Sequence, residues 1–446
     1  MLNFKPRTAE AVALQYKKNL YLTNTRALQL FQLLRQGFLI LIAIVLAKSQ
    51  LTKTQVGIYE MLTYLGYLLT FFWVTGGIQA LLALYPKLDK EKRKSLFFQA
   101  FMVYSAVVFV MIGGAVLFQK QLLPLLFQKE NIPFLAIYGI FLLGNIPAIL
   151  QEYFYLLQDR PKAIVLFGGT SALLQFLCIA VPVFLSYDFR VVFTNLALLG
   201  VLKWLWLAGF SLRFSKFSFD YVLLKSWWLL AWPLILYAFL GALSISVGPW
   251  FVSFFSNGSE EQFAIYRYGA RELPLLAALA GALSSALIPL LASSRVEGLQ
   301  ELKTKSSKLY HILFPVSILL ILTSQWWFIW VFDPAYANAI PVFNTFLLTV
   351  IPQMIFARTV LVALHDTKWI PMAAVFGILI HILGAYFFGQ FWGLKGIAIA
   401  MLVSFMIEKL ILALFLWKRH QISPFYYTNI PLWLGYTSVL LLMYLF

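Results

Sequence analysis

Ten ionisable side chains interrupt the long apolar runs of this 446-residue chain: Arg35, Glu60, Glu152, Lys203, Arg267, Arg271, Glu272, Arg358, Glu408 and Lys409. A charge held at the centre of a helix in hydrocarbon costs about 2.5 to 3.5 kcal/mol on insertion scales, so each is a candidate for function. Six are Lys or Arg and four are Glu. Guanidinium stays charged in any surroundings and holds phosphate with two parallel hydrogen bonds, while ammonium supplies a point charge. The chemistry on offer is recognition of an anion, together with acid–base contacts that can be made and broken. No Walker A sequence, HExxH or GxSxG occurs, so neither an ATP motor nor a hydrolase is supported, and the chain reads as no enzyme. Cys178 is the one cysteine, which excludes a disulfide framework and a cysteine metal site; no metal ligand set and no cofactor is predicted.

The surroundings of these residues fix the solvent. Apolar residues make up 62% and charged residues 11%, against about 45–50% and about 25% in a soluble domain. With a mean hydropathy of +0.84, the lipid bilayer is the medium. Thirteen stretches are long enough to span it, near 27–47, 57–85, 96–118, 133–157, 163–186, 191–212, 227–254, 263–292, 309–332, 340–364, 370–390, 396–417 and 430–446. The net charge of +17 looks like a nucleic-acid footprint, but its distribution points to topology, with no nucleic-acid partner. With the amino terminus inside, 22 of the 34 Lys and Arg lie on the inner side; Lys48, Lys53, Lys120, Lys129, Arg190 and Lys395 make up the outer set. The start holds Lys5, Arg7, Lys17, Lys18 and Arg26 with no uninterrupted apolar core, and so reads as a basic cytoplasmic tail over 1–26.

A repeat orders the spans. Gln55-Val-Gly-Ile-Tyr-Glu60 matches Gln262-Phe-Ala-Ile-Tyr-Arg267, Leu142-Leu-Gly-Asn-Ile-Pro147 matches Leu347-Leu-Thr-Val-Ile-Pro352, and Lys203 with Arg213 matches Lys409 with Arg419. The offsets agree within two residues, so the unit is six spans, and an even number puts both copies in the membrane the same way up. The expected architecture is an all-α polytopic membrane protein. It has a lobe at 27–213, a cytoplasmic linker at 214–226, a second lobe at 227–419 related by a pseudo-twofold axis along the membrane normal, and an extra span within 420–446.

Within that frame, Lys203 and Lys409 each lie ten residues from a basic inner helix end, about 15 Å deep at 1.5 Å per residue, too far to snorkel. They could hold a diphosphate between the lobes or each pair within its own lobe. Arg267 and Arg271 are four apart and share one face of the eighth helix, and Arg35 lies about eight residues into the first span. Arg267 could instead anchor the outer interface and Arg35 a helix packing site. The repeat also opposes acids to bases, Glu60 to Arg267 near the outer face and Glu152 to Arg358 nearer the inner one, as would two gates broken in turn.

Two six-span lobes resemble the multidrug/oligosaccharidyl-lipid/polysaccharide (MOP) exporter superfamily, and within it the Wzx-type polysaccharide-repeat flippases. The resemblance rests on Gly57-Ile-Tyr59, Gly76-Gly-Ile-Gln-Ala80, Ile265-Tyr266, Arg271-Glu-Leu-Pro274 and the small-residue run Ala282 to Pro289. It implies a multi-pass inner-membrane protein that flips polyprenyl-diphosphate-linked oligosaccharides for O-antigen, lipopolysaccharide or exopolysaccharide synthesis, with H+ or Na+ as coupling ion. It also implies a central cationic cavity, to which Arg35, Arg267 and Arg271 are the nearest matches. A cation-coupled drug antiporter of the same superfamily, with Glu152 as its carboxylate, and a membrane glycosyltransferase or polymerase are the alternatives.

The gates predict a rescue pattern. Each single charge reversal, Glu60→Arg or Arg267→Glu, Glu152→Arg or Arg358→Glu, is expected to abolish transport, and the paired swap to restore it in part. Swaps that recover nothing the singles lose refute the gates.

Overall fold

The computed structural model describes residues 24–271 and 274–445, and every regular element among them is helical. Residues 1–23 of the basic tail, and Glu272, lie outside them. In order come α1 (Asn24–Lys48), α2 (Lys53–Leu84), α3 (Lys90–Leu117), α4 (Gln119–Phe127), α5 (Leu135–Ala148), α6 (Leu150–Leu157), α7 (Pro161–Phe184), α8 (Phe189–Phe214) and α9 (Tyr221–Phe255). Then follow α10 (Glu260–Gly269), α11 (Pro274–Ser293), α12 (Arg295–Val331), α13 (Ile340–Leu347), α14 (Val350–Gln353), α15 (Ala357–Ala363), α16 (Trp369–His420), α17 (Pro424–Tyr427) and α18 (Ile430–Leu445).

Among the described residues ten helices are long and apolar enough to cross a membrane, where thirteen spans were expected. The difference has physical causes. Helix α16 has 52 residues, about 78 Å at 1.5 Å each and more than twice a hydrocarbon core of about 30 Å, so it must cross twice. The break is Gly393, whose φ of 55° and ψ of −136° suit glycine alone. It separates the expected spans at 370–390 and 396–417. The expected eighth span is instead two helices, α10 and α11, with Ala270 and Arg271 outside helix between them. The last span, α18, has only 16 residues.

The fourth and tenth spans are also broken, at equivalent places. Helix α5 gives way to α6 just after Pro147, where Ile149 N donates to Ile146 O three residues back. Helix α13 gives way to α14 where Leu348 N donates to Thr345 O, and Met354, Ile355 and Phe356 separate α14 from α15. Pro182, Pro233, Pro249, Pro289 and Pro315 lie inside helices, whereas Pro274 opens α11. A proline removes one backbone donor and crowds the preceding turn, the usual cause of a bend.

By packing, the chain divides into two compact units. One comprises Gly77–Val110, Ala136–Ala231 and the start of α1 up to Ile42; the other comprises Ala43–Gly76, Met111–Leu135 and everything from Trp232 on. This division differs from that of the repeat, because it cuts α1, α2, α3 and α9 partway along.

In the first unit α8 shows how such helices pack in lipid. Leu198, Leu202 and Leu205, three and four residues apart, are exposed, while Leu196 and Gly200 on another face are buried. A Cβ built on Gly144 of α5 would fall 2.0 Å from the Gly200 carbonyl oxygen. Backbones meet here directly, and such close approach supplies the van der Waals contact that replaces the hydrophobic effect between helices in lipid. The segment after α8 is tied back by Ser95 to Ser218 at 2.7 Å, by Gln99 Nε2 donating to Asp220 O at 3.0 Å, and by Lys216 to Glu91 at 3.2 Å.

The Gly393 break yields a prediction. Gly393→Ala meets open space but an unfavourable backbone, so it should lower stability by about 1–3 kcal/mol, read as a lower thermal midpoint in detergent. Gly241→Ala, in helical backbone with open space around it, should not. Equal midpoints for the two would mean that the break is not held by its backbone angles.

Candidate functional site

The mid-membrane charges fall into three clusters. The first is centred on Glu60 of α2, whose side chain is 7% exposed. Its Oε2 lies 3.2 Å from Arg267 Nε and its Oε1 3.7 Å from Arg271 Nη2. The sequence placed these two arginines on one continuous helix face, and the structure corrects this. Helix α10 stops at Gly269 and Arg271 sits in the gap, where Arg271 N donates to Gly269 O. Leaving the helix lets Arg271 lie over the Tyr268 ring at 4.9 Å and the Phe332 ring at 5.8 Å while still reaching the carboxylate.

Around this cluster the second unit is tightly joined. Lys53 Nζ meets Glu261 Oε1 at 2.6 Å, and Lys129 pairs with Glu260. Tyr64 Oη donates to Ser246 O, Trp250 Nε1 to Leu125 O and Tyr268 Oη to Ala43 O, each at 2.9 Å. A Cβ on Gly57 would fall 2.1 Å from Glu260 O, so only glycine permits this approach of α2 to α10. Parts of the first two spans, and the chain after the third, are thereby bonded to the seventh and eighth spans and the turn between them.

The second cluster lies in the first unit. Glu152 of α6 is buried, and Arg35 of α1 and Lys203 of α8 are near enough for their charges to act on it. Lys203 Nζ donates to Asn145 Oδ1 at 2.6 Å. The buried Gln151 beside Glu152 has no hydrogen-bond partner on either amide atom among the described residues. Asn145 and Gln151 carried no weight in the sequence.

The third cluster lies in the second unit and lines a cavity of about 400 Å³. Lys409 Nζ is 3.8 Å from Glu408 Oε1, a loose contact, since adjacent helical residues point apart. Arg358 of α15 is exposed, feels the charge of Glu408 and lies over the Tyr237 ring at 5.3 Å. Among the described residues it has no ion pair within 4.0 Å. Ser284 and Thr359, joined at 2.7 Å, line the same cavity. The sequence missed both hydroxyls, although Ser284 lies in the small-residue run Ala282 to Pro289.

Glu152 and Arg358, opposed by the repeat, belong to different units. Each has charge partners in its own unit, Arg35 and Lys203 for the acid and Glu408 for the base. Lys203 and Lys409 likewise sit in separate clusters in different units. His311 Nδ1 meets Tyr436 Oη at 2.7 Å, and His381 is buried against Ser244 O.

No protein-family model matches the chain, and no curated protein sequence matches it. Among solved structures, a lipid II flippase, MurJ, in an inward closed conformation is similar with a TM-score of 0.75, over 94% of this chain and 91% of that one, at 15% identity. An inward-facing multidrug resistance MATE family transporter of the MOP superfamily gives 0.67, over 87% and 97%, also at 15% identity. The fold is that of the MOP transporters. A further MOP transporter, from Pyrococcus furiosus, described by the reversed polarity of its binding pocket, gives 0.55 over 90% and 96% at 14% identity. At such identities the likeness is one of fold, and the charge clusters set on the MOP fold belong to this chain's own residues.

The Glu60 cluster predicts an asymmetry. Glu60→Ala strands two arginines and should cost about 3–5 kcal/mol, whereas Arg267→Ala leaves Glu60 with Arg271 and should cost clearly less. Thermal unfolding of the singles and the double variant tests this, and equal, additive losses would show that the three side chains are not coupled.

Proposed function

We propose that this protein flips lipid-linked oligosaccharides bearing a diphosphate across the inner membrane, with its amino terminus in the cytoplasm, by alternating access of two six-span lobes. Arg358 and Lys409 carry the reading. Two bases line a cavity of about 400 Å³ with Ser284 and Thr359 and a single carboxylate, which leaves a positive site for phosphate oxygens. An arginine exposed within a span must face water rather than lipid, so the cavity is wet.

A polyprenyl tail stays in lipid while the sugar diphosphate crosses, with Arg35, Lys203, Arg267 and Arg271 as further cationic stations. The bonds that join Ala43–Gly76 and Met111–Leu135 to the seventh and eighth spans serve as the outer gate, with Glu60 and its two arginines at its centre. Membrane potential contributes about 2.3 kcal/mol per charge per 100 mV, and with the inside negative it drives an anion outwards. Coupling to H+ or Na+ adds to this. The similarity to a lipid II flippase supports a lipid-linked substrate, and the polysaccharide-repeat branch agrees with the Gly, Tyr and Pro motifs.

A drug antiporter of the kind found among the MATE structures needs a carboxylate free to bind a cation. Glu60, Glu152 and Glu408 each have two bases beside them. The electrostatics therefore favour the anionic substrate.

Vesicles containing the protein should flip a fluorescent polyprenyl-diphosphate oligosaccharide and should not export cationic dyes. Arg358→Ala and Lys409→Ala should each slow flipping about 10- to 100-fold, the worth of one charge-assisted hydrogen bond. Dye export without lipid flipping would overturn the reading.

A further inference from the structure

We propose that a groove between α12 and the chain around α17 and α18 binds the headgroup of an anionic phospholipid, with the phosphate on Lys303 and Lys308 and headgroup hydroxyls on the polar side chains between them. The site is separate from the three charge clusters and does not depend on the transport reading.

Gln300, Lys303, Thr304, Ser307, Lys308 and His311 are spaced by threes and fours, which puts all six on one face of α12. With Asn429, just before α18, they line a cavity of about 540 Å³. Among the described residues no carboxylate lines it. Glu301, the nearest acid in sequence, does not line the cavity and pairs with Lys305 at 3.0 Å. Lys303 Nζ donates to Phe425 O at 2.9 Å, which ties α12 to α17 and leaves two ammonium hydrogens free. At the other end the contact of His311 with Tyr436 closes the groove. Lys308 is exposed and has no ion-pair or hydrogen-bond partner among the described residues.

Depth identifies the ligand as a lipid. Helix α12 has 37 residues, about 56 Å at 1.5 Å each, and exceeds a hydrocarbon core of about 30 Å. Its charged first part, Arg295 to Lys308, precedes the apolar run from Ile312, so the groove lies where headgroups lie, on the side carrying the basic loops. Phe425 and Tyr426, about 60% exposed, flank it at the same level as an interfacial aromatic pair. The hydroxyls refine the choice. Thr304 Oγ1 donates to Gln300 O and Ser307 Oγ to Lys303 O, so towards a ligand both act as acceptors. Two ammonium donors beside two hydroxyl acceptors match a phosphate carrying a polyol, as in phosphatidylglycerol.

The test is the full chain in detergent, with lipid binding read by native mass spectrometry and by thermal midpoint. Phosphatidylglycerol should bind and raise the midpoint; phosphatidylcholine and inorganic phosphate at equal concentration should not. Lys308→Ala should cut phosphatidylglycerol binding about 10-fold and Lys308→Arg should retain most of it. Lys305→Ala, which removes the same charge one turn away and off the groove, should leave binding unchanged. Wild-type binding by Lys308→Ala, an equal loss in Lys305→Ala, or an equal effect of inorganic phosphate would each overturn the proposal.

Discussion

The arrangement of this protein depends on one cost, that of a charge without a partner in hydrocarbon. Three mid-membrane carboxylates are described, and each has two bases beside it: Glu60 with Arg267 and Arg271, Glu152 with Arg35 and Lys203, Glu408 with Lys409 and Arg358. All six intramembrane bases are used in this way. One acid for two bases offsets part of the desolvation cost and leaves each cluster positive, so the site is neither a neutral structural ion pair nor an isolated charge.

Bringing three charges together demands that helices break where the charges are. Arg271 reaches Glu60 because α10 ends at Gly269, and Arg358 opens α15 just after the irregular stretch Met354 to Phe356. Glu152 follows the α5–α6 break after Pro147. Irregular backbone at membrane depth leaves polar groups that must be satisfied by protein or by water, so it is tolerated where protein buries it or a wet cavity adjoins it. The same breaks therefore position the charges.

How much of this the sequence could reveal follows from the range of each interaction. Helical spans were legible because apolar length is a local property, and the all-helical MOP fold was legible with them. The charged positions were legible because their type conflicts with their surroundings. Of their partners, the repeat pointed to Arg267 beside Glu60, 3.2 Å away, but gave no hint of Arg271 as its second base. Arg267 and Arg271 looked like neighbours on a helix because spacing assumes an unbroken backbone, and the end of α10 at Gly269 carries no proline to announce it. Glu152 and Arg358 were opposed by the repeat, which matches positions and carries no information on the bases and acid beside each within its own unit. Ser284 and Thr359 lacked any local signal, since a hydroxyl on a helix normally bonds its own backbone and looks unremarkable in sequence.

The repeat shows what is kept when residues are not. Position 152 is an acid and its counterpart 358 a base, yet both halves of the chain hold a cluster of one acid and two bases, each including the repeat-related lysines Lys203 and Lys409. In the first cluster the acid comes from the fourth span and the second base from the first. In the other, the fourth-span equivalent supplies the base, and the acid moves beside the lysine as Glu408. A strict copy would have placed a second acid at 358, and a bare inversion would have left two bases, Arg358 and Lys409, with no acid. The acid at 408 restores the ratio. What the two halves share is thus the local charge and not the residue at each position.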